Sequence, residues 1–460
     1  MTCKELYKDY ALFEGKEINL QGWVKRKRTS ANVGFFELSD GSMFETIQIV
    51  FDKEVENFNE LDHLGVQSCI EVRGELVLTP NTKQPFEIHA QKIDVLFEAD
   101  KSYPLQTKRH SMEFLRTILH LRPRTNTFMA VFRVRSLISH AIHLFFQEKD
   151  FVYIHTPIIT GTDAEGAGEL FRVTTLEDEE IFENKDQKVD YSQDFFGKET
   201  FLTVSGQLSV EPFALSFGNV YTFGPTFRSE NSNTARHASE FWMVEPEMSF
   251  CDLECNMQIA EEMMKYIVSY VLENAPSEMD FFNRFVDKGL IKRLEALVKE
   301  PFAQTTYTEA IDILLKSGRE FSYPVEWGCD LKTEHERFLA EDYFGKPVFV
   351  TDYPSEIKAF YMKRNPDGKT VRAMDLLVPG VGEIIGGSQR EDDYDTLKAA
   401  IEERGMDMEN YQWYLDLRRY GSCVHSGYGL GLERAVQYIT GMGNIRDVIA
   451  YPRTPGNAEF

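Results

Sequence analysis

The glycines of SGYGLGLERAVQYI, residues 426–439, constrain the fold more than any other feature of this chain. Gly427, Gly429 and Gly431 recur at every second position, so in a strand all three face the same way. A strand face without side chains lets a ligand lie flat against the backbone, although tight packing on a neighbouring strand would need it too. Leu432, Ala435, Val436 and Ile439 then follow helical spacing, so the strand runs straight into a buried helix. Arg434 falls in the first turn of that helix, able to reach over the glycine floor. The order G-x-G-x-G is not the G-x-G-x-x-G of a dinucleotide turn, and the chain has no G-x-x-x-x-G-K-[ST] phosphate loop.

Two further stretches carry chemistry. Residues 223–250, FGPTFRSENSNTARHASEFWMVEPEMSF, read as strand arms 220–229 and 239–250 around a polar loop, a β-hairpin with a long connection. Arg228 projects from the first arm, Arg236 and His237 offer cations from the loop, and Phe241 offers an aromatic face on the return. The planar fork of Arg suits phosphate oxygens. One such residue alone would fit a charged surface hairpin; the ordered set fits a nucleotide. In GVGEIIGGSQR, residues 380–390, alternation puts Glu383, Gly387 and Gln389 on one face and Ile384, Gly386, Ser388 and Arg390 on the other, with glycines that invite a bulge. Glu383 suits magnesium, a hard cation that takes carboxylate and phosphate oxygens; an edge-strand ion pair would use the same carboxylate.

At 460 residues the chain is long for one core, and two or three domains are expected. Segments 18–24, 35–38, 46–51, 68–78 and 86–97 are short, β-branched or aromatic, with a polar, helix-like stretch at 52–65; five such strands suggest a small OB-type barrel, with a two-sheet sandwich as the alternative. Residues 99–130 read as a basic linker, 128–149 as a helix, and 152–160 as a strand broken by Pro157. Residues 176–198 read as a solvated insertion rich in acids and lysine, and 251–300 as largely helical. The net charge of −24 argues against whole-surface nucleic-acid affinity, so any such contact must be local. Lys25, Arg26, Lys27 and Arg28 form the cationic run, followed by Phe35, Phe36 and Gln48, a grouping suited to single-stranded bases. Strand alternation puts one of the two phenylalanines in the core, and Phe36 is expected there.

The six cysteines are scattered, and Cys251 and Cys255 lack a second pair for zinc; reduced, buried groups one helical turn apart are expected. The N-terminus has neither a signal core nor a transit pattern, and no run approaches membrane-spanning length, so a cytoplasmic chain without a membrane contact is expected.

The Arg-bearing hairpin, the glycine strand running into a helix with Arg434, and the helix followed by a Pro-containing strand resemble, in the same order, the three motifs of class II aminoacyl-tRNA synthetases. The N-terminal barrel resembles the aspartyl, asparaginyl and lysyl subgroup. AEGAGELF (164–171), SGQLSVE (205–211), FRSENSNTARH (227–237) and GNIRDVIAYPRTPGNAEF (443–460) resemble the asparaginyl-tRNA synthetase family over nearly the whole chain. The resemblance implies an α+β protein: an OB-fold anticodon-binding domain at 1–100, a hinge at 101–130, and a class II catalytic domain at 131–460, an antiparallel sheet flanked by helices with a helical insertion near 251–320. It implies a ligase that attaches L-asparagine to tRNA(Asn) through an asparaginyl-adenylate, with ATP as substrate and Mg2+ as cofactor, working as a homodimer through the helix at 128–149 and the strand at 152–160.

The same resemblance distributes roles. Arg228 neutralises the α-phosphate, Glu230 orients adenine, Arg236 and His237 contact distal phosphates, and Phe241 and Arg434 sandwich the adenine over Gly431. Glu383 holds magnesium, with Asp375 as a second ligand, and Arg228, Glu383 and Arg434 form the catalytic set. Glu169 and Gln207 hold the ammonium end of asparagine, with Arg228 also contacting the amino acid, and Arg390 donates to its side-chain carbonyl. Aspartyl enzymes place a lysine where this chain has Val210; here Glu211 is expected to accept the amide and repel a carboxylate. Phe35 stacks on the middle anticodon base, Gln48 reads its edge and Arg28 contacts nearby. The rivals are an aspartyl enzyme, charging one or both tRNAs, against which Val210 and Glu211 speak; an inactive tRNA-binding paralogue, against which Arg228, Glu383 and Arg434 speak; and a tRNA-independent asparagine synthetase, which has no use for the barrel.

Overall fold

Buried and exposed residues alternate along β1 (Glu17–Thr29), with Ile18, Leu20 and Val24 inside, and the same period runs through β2 (Val33–Ser39) and β3 (Ile47–Asp52). A computed structural model of the chain, which describes residues 1–82, 84–163, 169–177, 189–232 and 234–459, divides it into two units, Met1–Ala130 and Val131–Phe460. In the first unit these strands join β4 (Cys69–Leu78) and β5 (Phe86–Phe97) in a closed barrel of order β1-β2-β3-β5-β4. Closure removes the sheet edges, and the sandwich alternative falls away. Phe36 is fully buried and packs on Phe51 with ring centroids 4.6 Å apart. A short helix, Phe58–Leu61, fills the polar stretch between β3 and β4.

The second unit is built on an eight-stranded sheet of order β12-β13-β14-β15-β16-β11-β10-β6. These strands are β6 (Val152–Tyr153), β10 (Asn219–Phe227), β11 (Glu240–Ser249), β12 (Ala303–Thr306), β13 (Val348–Pro354), β14 (Thr370–Val378), β15 (Gly382–Gln389) and β16 (His425–Gly431). Pairing is antiparallel from β13 to β10 and parallel only at the two ends. The helix Leu253–Asn274 packs behind β14, β15 and β16, where Asn256 Nδ2 donates to the Gly427 carbonyl at 3.0 Å. The helix Leu432–Thr440 continues directly from β16.

Several expectations change. Residues 152–160 are not one strand: β6 pairs with β10, whereas β7 (Ile159–Thr160) joins β9 (Thr200–Leu202) and β8 (Arg172–Val173) in a separate three-stranded sheet. Pro157 between them lacks the N–H a continuous ladder needs. Cys251 and Cys255 are joined in a disulfide, because Asp252 caps the helix and leaves Cys251 outside it, 5.4 Å from Cys255 between Cα atoms. The stretch 251–320 holds the helices Leu253–Asn274, Pro276–Phe285, Leu290–Lys299 and Tyr307–Lys316, but β12 within it is an edge strand of the main sheet. Residues 178–188 of the expected insertion lie outside the described residues; its flank is anchored by Asp194, which accepts from the Thr175 amide and hydroxyl, both at 2.9 Å.

The helix Asn126–Glu148 is long and apolar enough to cross a membrane by length and composition, contrary to the expectation that no run comes near that length. Its apolar side chains, among them Val134, Ile138, Ile142 and Phe146, are buried in the core, and its Arg133 and Arg135 pair with Glu278 at 2.8 Å and Glu433 at 2.6 Å. Those contacts account for the apolar face without a bilayer.

Candidate active site

The hairpin supplies one wall of a cleft. β10 and β11 pair in register to Phe227 opposite Glu240, and the Arg228 amide still donates to the Ser239 carbonyl at 3.0 Å, so Arg228 leaves the sheet from a fixed backbone. Its guanidinium lies over the Phe241 ring, 5.5 Å from the centroid. Glu433 accepts from the Trp242 amide at 3.0 Å and from Arg135, tying the return strand to the start of the Leu432–Thr440 helix. Arg434, in the first turn of that helix, donates to the Glu383 carbonyl at 3.0 Å and to its carboxylate at 3.2 Å. Arg228, Glu230, Arg236, His237, Phe241, Glu383, Gly431 and Arg434, the whole set expected to hold ATP, line this one cleft. His237 departs from expectation in charge: burial holds its imidazole below the usual range, so at neutral pH the ring is uncharged.

A bulge decides which side chains face the cleft from β15. Opposite β14 the register shifts between Leu376–Ile385 and Leu377–Glu383, so the simple alternation along residues 383–390 fails at Ile384. Glu383 shares its face with Gly386 rather than with Gly387 and Gln389. A Cβ at Gly386 would stand 3.0 Å from Glu383 Oε1 and 3.5 Å from Asp375 Oδ1, so the two carboxylates converge there. Gly387 looks the other way, onto Tyr428. Burial pushes Asp375 up, even with Lys358 Nζ at 2.6 Å from Oδ2. Burial pushes Glu383 the same way, yet Arg434 and Lys358 outweigh it and hold the carboxyl low. A third acid, Glu336, accepts from the Glu383 amide at 3.1 Å and is pushed up to about 7 by burial and by the Glu383 charge. Among the described residues no group of three or more His, Cys, Asp or Glu is placed to hold a metal ion by itself. Two hard carboxylates converging beside a cleft lined by Arg228, Arg236 and Arg434 still suit a cation that keeps phosphate and water ligands.

Beyond the glycine floor lies a second, drier cluster. Gln207 and Glu211 stand one turn apart at the start of the helix Gln207–Phe217. Glu211 is wholly buried and receives Arg418 at 2.6 Å, His425 at 2.8 Å, the Tyr414 hydroxyl at 2.6 Å and Gln207 Nε2 at 2.8 Å. Two carboxylate oxygens offer about four lone pairs, so direct acceptance of a substrate amide by Glu211, as expected from the sequence, finds no free position. Val210 is buried against Ala214 and Val220, in an apolar cluster of its own. Arg390 is buried, forks onto Glu247, and donates to Ser388 Oγ at 2.8 Å. Glu169 is exposed; its carbonyl accepts from the Ser229 amide at 3.0 Å, and residues 164–168 of its motif lie outside the described residues.

Glu247, Arg418, His425, Tyr414, Glu336 and Lys358 were not singled out in the sequence. For Glu247 a signal existed: Glu245 and Glu247 sit at alternate positions of an otherwise largely apolar strand, which costs too much unless they serve the sheet face. The others arrive from elements distant in sequence and carry no local mark.

The barrel surface is a separate site in the first unit. Register sets Arg28 opposite Phe35, and Glu37 opposite both Arg26 and Gln48, so Arg26, Arg28, Phe35 and Gln48 share the outer face. Gln48 Nε2 donates to Glu87 at 2.8 Å. The cationic run is narrower than it reads: β1 bulges between Val24 and Arg26, Lys25 Nζ donates to the Arg124 carbonyl at 2.5 Å, and Lys27 Nζ to the Asp62 carbonyl at 2.8 Å.

Comparison with known proteins matches a family to each unit. The family "tRNA synthetases class II (D, K and N)" matches residues 111–455, and the "OB-fold nucleic acid binding domain" family matches residues 18–96. The asparagine–tRNA ligase of Clostridium tetani is 62% identical over 460 residues, covering 100% of this chain and 99% of its own. That of Acetivibrio thermocellus is 62% identical over 458 residues, covering 99% of each. Among solved structures, asparaginyl-tRNA synthetase from Pyrococcus horikoshii, complexed with asparaginyl-adenylate, is similar with a TM-score of 0.87 at 35% identity, covering 100% of this chain and 99% of that one. The Entamoeba histolytica enzyme in complex with asparaginyl-adenylate is similar with a TM-score of 0.83 at 29% identity, covering 98% of each.

Proposed function

Since the chain belongs to the asparagine–tRNA ligases of the class II aminoacyl-tRNA synthetase family, we propose that its cleft and its buried cluster divide that reaction between ATP and asparagine. The ligase attaches asparagine to tRNA with ATP, through an asparaginyl-adenylate, releasing AMP and pyrophosphate. The observation that carries the division is the convergence of Arg228, Phe241, Glu383 and Arg434 on one cleft over the glycine floor. Arg228 neutralises the α-phosphate as the asparagine carboxylate attacks it, and Phe241 with Arg434 flanks the base. Arg236 and His237 meet the distal phosphates, and Glu230 orients adenine. Such chemistry needs positioning and charge neutralisation more than a protein acid or base. Glu383 and Asp375 would hold Mg2+, which would lend positive charge to the phosphates.

Asparagine lies toward Gln207, Glu211 and Arg390, with Glu169 and Gln207 at its ammonium end and Arg228 at its carboxylate. Selection against aspartate follows from charge balance: Arg390 is matched by Glu247 and Arg418 by Glu211, so a further carboxylate enters without a free cation. The partners are tRNA(Asn), read by Arg28, Phe35 and Gln48 on the barrel, and a second copy of the chain, joined through the helix Asn126–Glu148 and the exposed Val152 and Tyr153 of edge strand β6. The enzyme works in the cytoplasm.

Pyrophosphate exchange with asparagine and with aspartate, followed by charging of tRNA(Asn) and tRNA(Asp) transcripts, tests this reading. Exchange should depend on asparagine, and Arg228→Ala should lower kcat by about 10²-fold or more. Equal exchange with both amino acids would overturn the selectivity.

A further inference from the structure

Glu336 sits where two walls of the cleft meet. Its Oε2 accepts from the Glu383 amide at 3.1 Å and faces Arg236 Nη1 at 3.8 Å. One carboxylate thus touches both the start of β15 and the loop of the β10–β11 hairpin. In the sheet β16 lies between β15 and β11, so no ladder bond joins these two walls directly. Arg236 Nη1 also donates to Thr333 Oγ1 at 2.8 Å, and Thr333 and Glu336 share one face of the short helix Thr333–Arg337. Gly382 leaves the room for this junction. It holds φ at +85°, and a Cβ there would stand 2.4 Å from Glu336 Oε2 and 3.2 Å from Arg236 Nη1. The helix is itself pinned. His335 is wholly buried, meets the Phe321 ring edge-on with centroids 5.0 Å apart, and accepts the Lys332 amide at Nδ1 at 3.2 Å. Glu341, in the turn Phe338–Tyr343 that follows, accepts from the Gly380 amide at 2.7 Å. Acids of one segment therefore hold both ends of the turn that delivers Glu383.

We propose that Glu336, with Thr333 beside it, is a positioning residue for ATP: the pair ties the Arg236 side chain to the strand that carries Glu383, so that both reach the same distal phosphates. The proposal rests on reading Arg236 as a phosphate contact. Glu336 acts through the Arg236 guanidinium and the Glu383 main chain, and needs no contact of its own with the nucleotide. A long arginine on a polar loop has many rotamers to lose when a phosphate arrives. Holding it in place beforehand removes that ordering cost from ATP binding.

The test measures ATP binding to the full-length protein by calorimetry, with Mg2+ and with EDTA, in Glu336→Gln, in Arg236→Ala and in the double variant. It is run at about pH 8, above the value to which burial lifts the Glu336 carboxyl. Glutamine keeps an acceptor for the Glu383 amide but has no charge for Arg236. Glu336→Gln should weaken ATP binding about fivefold or more in both buffers, while the KM for asparagine in pyrophosphate exchange at saturating ATP stays unchanged. In the Arg236→Ala background the same substitution should change nothing further. Additive losses in the double variant, or an equal rise in the KM for asparagine, overturn the proposal. Unchanged ATP affinity in Arg236→Ala overturns instead the reading of Arg236, and the tie with it. Should Glu336→Gln fail to fold, Thr333→Val decides: it frees Arg236 without touching Glu383, so ATP binding must weaken, and only while Arg236 is present. Unaltered affinity in that variant would refute the proposal.

Discussion

Gly427 shows how a missing side chain sets chemistry. A Cβ there would lie 2.3 Å from Glu247 Oε1 and 2.4 Å from the Pro246 carbonyl oxygen, so the strand must stay bare for Glu247 to reach Arg390. Gly427→Ala should raise the KM for asparagine by ~10-fold or more, because the fork on Arg390 is displaced from a position that tolerates little error. Gly429→Ala meets the Met243 Cε at 2.6 Å, the far end of a flexible side chain, and should cost less, mainly in ATP affinity. Steady-state exchange kinetics on both variants checks the order. On the barrel, Phe35→Ala should lower kcat/KM for tRNA charging by roughly 5–100-fold, the worth of one stacked base, and leave pyrophosphate exchange unchanged. A loss in both assays would mean that Phe35 serves the fold.

Single elements position these residues. The helix Leu253–Asn274 starts at Asp252, whose carboxylate accepts from the Cys255 amide at 3.0 Å, and one residue later Asn256 clamps the Gly427 carbonyl. Asp252→Ala should cost about 1 kcal/mol in denaturant unfolding, the usual worth of an acidic N-cap. β15 works through its bulge: without the slipped residue at Ile384, Glu383 would turn to the face of Gly387 and lose Asp375.

Across the whole molecule, charge and assembly give two expectations. Burial, with Arg124 beside it, pushes the Lys25 ammonium down to about 8, below its ordinary value of 10.5. The folded state thus binds this proton less tightly than the unfolded chain, and its stability rises as pH climbs from 8 toward 10.5. Lys25→Met should therefore raise the Tm of the barrel unit at pH 7, with the gain shrinking by pH 10, in thermal unfolding of the full chain. A dimer through β6 and the Asn126–Glu148 helix predicts sedimentation at twice the 53.1 kDa of the chain. A monomer at working concentration would remove the dimer.

Local periodicity made most of the fold legible, since strands repeat every two residues and helices every 3.6 whatever lies around them. The five barrel strands, the hairpin and the glycine strand running into its helix were all visible that way. The residues that line the candidate cleft were legible for the same reason: Arg228, Arg236, His237 and Phe241 come from one hairpin, and Gly431 and Arg434 from one strand–helix junction. Charge pairing has no such period. That Glu211 meets Arg418, His425 and Tyr414, that Glu247 meets Arg390, and that Cys251 meets Cys255 was decided by which side chains the tertiary structure brings within a few ångströms. The glycine floor itself was set by the sequence; which charged side chains stand around it was decided only by the packing of distant elements.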